Sequence, residues 1–204
     1  MKRLLTAIFL LSTTLSLTAC SGSYGKTEKI KDPILLESLN QTIVEATQYY
    51  FDTEIPVDKT FEYEGFKSFI PSPKNTKEYI HHSNIFQAST DAREGEISAY
   101  GGVLSPDNQS VTGLILNVFN EKVPPKAYTE DDVKEIAIQF LRDKQLVESE
   151  EKVTFVGRND KASSTYVTVL NFDSETKRFA IGVNLQFGTI VYFEHAPLEF
   201  FSES

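Results

Sequence analysis

The sequence predicts an α+β fold in which a helix packs on an antiparallel sheet, with that plan present twice. Three observations predict it. Two segments carry apolar residues at helical spacing behind recognisable capping signals. Each is followed by four short runs rich in Tyr, Phe, Ile and Val, separated by Pro, Asn, Asp and Gly clusters. Between the two sets stands Val123-Pro124-Pro125-Lys126, a stiff connector.

The chain opens with Met1-Lys2-Arg3, an apolar run from Leu4 to Leu17 broken only by Ser and Thr, and then Thr18-Ala19-Cys20-Ser21. Basic residues, a short apolar stretch and small residues at its end form a signal-peptide pattern, and the stretch is too short and too broken for a comfortable membrane span. The tetrapeptide Leu17-Thr18-Ala19-Cys20 resembles the lipobox of bacterial lipoproteins. That resemblance implies cleavage after residue 19 and a diacylglyceryl group on the Cys20 thiol. The competing reading is an ordinary secretory signal that ends near a cysteine, and cysteine usage weighs against it, because Cys20 is the only one in the chain. The mature domain therefore has no disulfide and no thiol chemistry of its own. Each buried lipid methylene is worth about 0.8 kcal/mol, so several acyl chains hold a protein firmly at a bilayer.

Removal of the leader takes the formal charge from −9 to −11. Such an acidic surface repels nucleic acid and excludes it as a partner, while favouring cationic segments of other proteins. Residues 20–31 are polar, small and without periodicity, and are expected to be a lipidated Cys followed by a flexible tether.

The first helix-plus-strands unit is expected over residues 32–122. Asp32-Pro33 supplies an N-cap and a proline at the first helical position, and Leu36, Leu39, Ile43, Ala46 and Tyr50 recur at helical spacing to about Phe51. Strands are expected over 60–69, 78–88, 94–104 and 110–120. In the second unit, 126–204, Thr129 and Asp132 form a capping box variant, after which Val133, Ile136, Ala137, Phe140 and Leu141 share a face. Its strands are expected over 152–157, 165–172, 178–185 and 189–194. The best internal match sets Phe187–Phe193 against Val111–Phe119, so the repeat is one of organisation more than of letters.

The second unit also resembles the PepSY domain. The resemblance rests on the helix bearing Ala137, Phe140 and Leu141, the strand Tyr166-Val167-Thr168-Val169, and the run from Phe179 through Gly188 to Ile190. Asn184 replaces the family's usual Asp, and Phe187 its usual Thr. The resemblance covers about a third of the chain and implies a binding module without catalytic residues, of the kind found in propeptides and exported regulators of peptidases and cell-wall hydrolases.

Chemistry is sparse. His81 and His82 are adjacent in an expected strand, so they point to opposite faces and cannot chelate one metal together. His195 alternates away from Glu194 in the same manner. No Gly-x-Ser-x-Gly elbow or phosphate loop is present, and Ala162-Ser163-Ser164 reads as a polar turn. Glu130-Asp131-Asp132 is explained by the helix N-terminus. No catalytic residue, metal ligand or cofactor site is therefore expected, and the one assigned site is lipidation at Cys20. With no Trp but 15 Phe and 9 Tyr, the aromatic residues are expected to seal helices against sheet. Phe193, Phe200 and Phe201 are expected to pack on the core rather than form an exposed patch.

The expectation is thus a non-enzymatic, membrane-anchored lipoprotein on the extracytoplasmic side, docking an envelope protein by a sheet edge or face. The alternative is a small-molecule or metal receptor using a groove between the halves, and third stands a hydrolase assembled from scattered Glu, Asp and His.

Overall fold

Asp32 starts the first helix, α1 (Pro33–Phe51), by accepting hydrogen bonds from the Ile34 and Leu35 amides. The computed structural model describes residues 25–72, 74–75 and 77–201, so the leader and Cys20 lie outside the described residues. The second helix, α2 (Glu130–Asp143), opens on the capping box expected of Thr129 and Asp132. Among the described residues nine strands follow: β1 (Lys26–Lys29), β2 (Glu62–Pro71), β3 (Tyr79–Ser89), β4 (Ile97–Leu104), β5 (Val111–Val118), β6 (Thr154–Arg158), β7 (Val167–Asp173), β8 (Lys177–Asn184) and β9 (Thr189–Pro197).

They form one antiparallel sheet in the order β1-β2-β3-β4-β5-β9-β8-β7-β6. Each helix is followed by its own four-strand meander. The two meanders meet through their last strands, with Gly113 opposite Glu194, Leu114 opposite Phe193 and Ile115 opposite Tyr192. The two stretches that match best in sequence thus lie in the strands that join the halves.

Alternation assigns the two faces. Phe86, Tyr100, Leu114, Leu170, Phe179, Ile181 and Phe193 point toward the helices and form one core with Leu39, Ile43, Val133, Ala137 and Leu141. Gly102 lets α1 approach, because a Cβ there would stand 2.6 Å from Ile43 Cδ1. The helices converge over Phe193, whose ring centroid lies 4.7 Å from that of Tyr50, 6.1 Å from Phe51 and 5.7 Å from Phe140. Tyr49 points outward. Phe193 is therefore a core residue as expected, while Phe201 is half-buried with the Arg178 guanidinium 4.6 Å over its ring.

Lys144, just past α2, ties the helix ends together by donating to the Tyr49 carbonyl at 2.7 Å and to both Asp52 carboxylate oxygens at 2.9 and 3.0 Å. A cation here satisfies the last carbonyls of α1 and opposes its dipole. Lys144→Met is expected to lower stability by about 1 kcal/mol, read from urea denaturation.

The tether expectation is corrected by β1. Lys26 to Lys29 pair with Phe69 to Phe66 of β2, and Ile30 behind them is 4% exposed. Every residue of β1 is exposed and the strand has no apolar alternation, so its composition alone cannot announce it. It is held by backbone pairing, by the 2.7 Å Lys29–Glu64 ion pair and by the anchoring of Ile30.

Candidate functional site

The helix-free face of the sheet carries a second, smaller cluster, Ala162, Val169, Ala180 and Tyr192, with Ile115 and Val167 against it. Register places two rows side by side here. One runs Gln87, Gly101, Ile115, Tyr192, Gly182, Val169, and the other Ile85, Val103, Gly113, Glu194, Ala180, Asn171. Gly113 and Ala180 therefore flank Glu194, while Tyr192 lies between Gly182 and Ile115. A Cβ on Gly182 would stand 2.9 Å from Tyr192 Cβ, so glycine is what allows the tyrosine its place on the sheet.

Glu194 is 8% exposed and Tyr192 6%. The Tyr192 hydroxyl donates to Glu194 Oε2 at 2.7 Å, and the second carboxylate oxygen accepts nothing from the described residues. Burial pushes the Glu194 carboxyl up to about 7, the tyrosine hydrogen bond working in the opposite direction. Burial and the adjoining carboxylate hold the Tyr192 phenol well above its ordinary range. Beyond Ala180, the Asn171 Oδ1 is buried and without a hydrogen-bond partner among the described residues. The next charges along this face, Arg178 and Asp173, bind each other through two hydrogen bonds of 2.7 and 2.8 Å.

The residues singled out in the sequence are placed elsewhere or differently. His195 lies on the helix side, its ring 5.8 Å from Phe179, and burial pushes it down to about 4. Strict alternation fails at His81-His82, because Phe69 pairs with His81 and Ser68 with Ser83, leaving His82 as a bulge. His81 Nε2 lies 2.9 Å from Asn84 Oδ1. Among the described residues no three His, Cys, Asp or Glu side chains converge as a metal-ligand set. Ser163 and Ser164 shape the β6–β7 turn by bonding the backbone of Asn159, Val169, Tyr166 and Val167. Cys20 lies outside the described residues.

Sequence reasoning missed Glu194 as a site residue. The available signal was a Tyr-x-Glu pair beside the apolar run Ile190, Val191 and Phe193, which marks a carboxylate forced into a buried row. It also missed Asn40, 8% exposed on α1, which accepts from Tyr100 at 2.7 Å, and Gln186, whose amide holds the Asn120 and Val123 carbonyls at the connector.

A shallow, open groove of about 620 Å³ lies between the connector and α2, lined by Lys126, Tyr128, Asp132, Glu135, Ile136 and Gln139. It belongs to the second unit rather than to the junction of the halves. Among the described residues no helix is long and apolar enough to cross a membrane.

The chain is thus an α+β protein whose described residues place two helices on one face of a nine-stranded antiparallel sheet. No protein-family model matches the sequence, and no curated protein is significantly similar to it. Among solved structures, the Bacillus megaterium YpeB C-terminal domain aligns at 11% identity and a TM-score of 0.33, over 92% of this chain and 61% of its own. The chain spans about three fifths of that neighbour's length. The fold assignment rests on the chain's own strand order and core.

Proposed function

We propose that this is a lipid-anchored, extracytoplasmic binding or regulatory module with a PepSY-like second half, which docks a protein of the cell envelope and catalyses no reaction. The observation that carries the reading is the helix-free face, whose central strands hold an apolar cluster beside a carboxylate that has no cationic partner among the described residues. Both sheet edges discourage strand addition. The β1 edge is charged and exposed throughout, and β6 is interrupted between Phe155 and Gly157 by a bulge. The face is therefore the better docking surface.

Anchoring at Cys20 follows from the lipobox resemblance. With β1 beginning at Lys26, six residues of extended chain reach at most about 20 Å, so the β1 edge stays near the bilayer and the centre of the sheet projects from it. Cys20→Ser is expected to abolish incorporation of a labelled fatty acid and to release the chain from sedimented membranes. Affinity capture by the mature chain from its own envelope extract is expected to retain one protease or cell-wall hydrolase. Retention of no protein, with a small molecule or metal in native mass spectra, contradicts the reading. That outcome favours the alternative of a receptor, supported by the groove beside Tyr128, and predicts ligand-induced changes at Tyr128 rather than at Tyr192.

A further inference from the structure

We propose that the β2–β3 hairpin end is a membrane-contact site, with Tyr79 and Ile80 in the interfacial layer of an anionic bilayer and Lys26, Lys74 and Lys77 against its lipid phosphates. The inference deepens the lipid-anchored reading and rests on it.

Strand direction decides which part of the sheet lies beside the anchor. β1 is antiparallel to β2, so Lys26, the strand residue nearest Cys20 in sequence, stands at the sheet end where β2 runs into its hairpin. Lys26 pairs with Phe69, whereas β2 continues to Pro71 and β3 returns from Tyr79, so the hairpin projects past the start of β1. The Ser72 amide closes it by donating to the Glu78 carbonyl at 2.8 Å. Six residues of chain span at most about 20 Å, and a lipid on Cys20 therefore keeps this corner within that distance of the bilayer.

The side chains at this corner suit a bilayer surface. Tyr79 and Ile80 are 46% and 48% exposed, and alternation turns them to opposite faces, which leaves the hairpin end apolar on both sides. Tyrosine and aliphatic side chains favour the boundary between headgroups and acyl chains. Charge changes sign here as well. Residues 25–29 and 67–82 hold five lysines, Lys26, Lys29, Lys67, Lys74 and Lys77, against Glu28 and Glu78, in a chain whose formal charge is −9. Lys74 and Lys77 are exposed and join none of the ion pairs among the described residues. Lysines near anionic lipid are drawn to it over about a Debye length. At the far corner of the same sheet end, the Glu151 carboxylate accepts from the amides of Glu148 and Glu175, and all three residues are acidic. An anionic surface thus attracts the β1–β3 corner and repels the opposite one.

The chain contains no tryptophan, so Tyr79→Trp places a single fluorophore at the hairpin, and Tyr166→Trp places one beside β7, five strands away. Each full chain, acylated in a lipoprotein-processing host, is reconstituted in vesicles of about one third phosphatidylglycerol in phosphatidylcholine, with and without bromine on the acyl chains. Brominated lipid is expected to quench Tyr79→Trp about twofold or more and to leave Tyr166→Trp unchanged. Adding Lys74→Glu and Lys77→Glu removes most of that quenching, as does about 0.5 M salt, while the chain still sediments with the vesicles. A second readout needs no variant: amide exchange at residues 77–80 slows several-fold on these vesicles and is unchanged in β6. An unquenched Tyr79→Trp on vesicle-bound chain, equal quenching of both tryptophans, or quenching indifferent to the two Lys→Glu changes overturns the proposal. Protection of residues 77–80 that needs envelope protein rather than lipid overturns it too, in favour of a protein contact. Failure of the parent reading is distinguishable. A chain that acquires no lipid and sediments with neither host membranes nor vesicles removes the anchor itself, whereas an anchored chain with an unquenched hairpin removes the contact alone.

Discussion

Replacing Phe193 with Ala lowers the unfolding free energy by about 3–5 kcal/mol, a large share of the stability of an ordinary domain. The side chain is fully buried on the strand that joins the two meanders, and it contacts Tyr50 and Phe51 of α1 and Phe140 of α2. Truncation opens a cavity that neither helix can fill without leaving its own meander. Both halves are therefore expected to lose stability together, in one urea transition that is the same by circular dichroism and by amide signals from β3 and β7. The comparison is Phe187→Ala, whose side chain is 44% exposed and whose loss is expected to change stability by about 0.5 kcal/mol or less. Two separate transitions in Phe193→Ala, one for each half, would contradict a shared core.

The second large effect is a pair of opposed pH dependences from neighbouring residues on β9. Glu194 titrates at about 7 in the folded chain against an ordinary 4.5, so its contribution is full below pH 4.5 and is lost as pH rises through 7. His195 titrates at about 4 against an ordinary 6.5, so its contribution is full above pH 6.5 and is lost as pH falls through 4. Each gap corresponds to roughly 3 kcal/mol by proton linkage. Between pH 4.5 and 6.5 the two slopes cancel in the wild type. Relative to the wild type, Glu194→Gln is expected to gain stability by roughly 3 kcal/mol as pH rises from 4.5 to 7. His195→Gln loses a similar amount as pH rises from 4 to 6.5. Urea denaturation at several pH values checks both signs, and parallel curves for the three proteins would refute the assignments.

What the sequence disclosed follows from how strongly each feature is patterned. The helices were legible because Asp32-Pro33 and Thr129…Asp132 are strong local starts, and the apolar positions after them recur at the helical period. Eight of the strands were legible from aromatic and β-branched runs between turn residues, with ends displaced by a few positions. The ninth, β1, was not, because a charged edge strand held by backbone pairing leaves no periodic trace. Strict alternation misled at His82, where a bulge inserts one residue and spoils the period of two. The candidate site was less legible still. Glu194 and Asn171 are far apart in the chain and share a row only because β9 and β7 both pair with β8, which is set by long-range register. Nor could the sequence say that Ala162, in a polar turn, packs over Val169, Ala180 and Tyr192.

Site-directed photocrosslinking in the intact envelope reads whether the helix-free face docks a partner. A photoreactive residue is placed at Ile115, half-buried on that face, and in a separate variant at Gln41, exposed on α1. One crosslinked envelope protein is expected from position 115, and none from position 41. Crosslinks from position 41 alone, or from neither position, would contradict docking on that face.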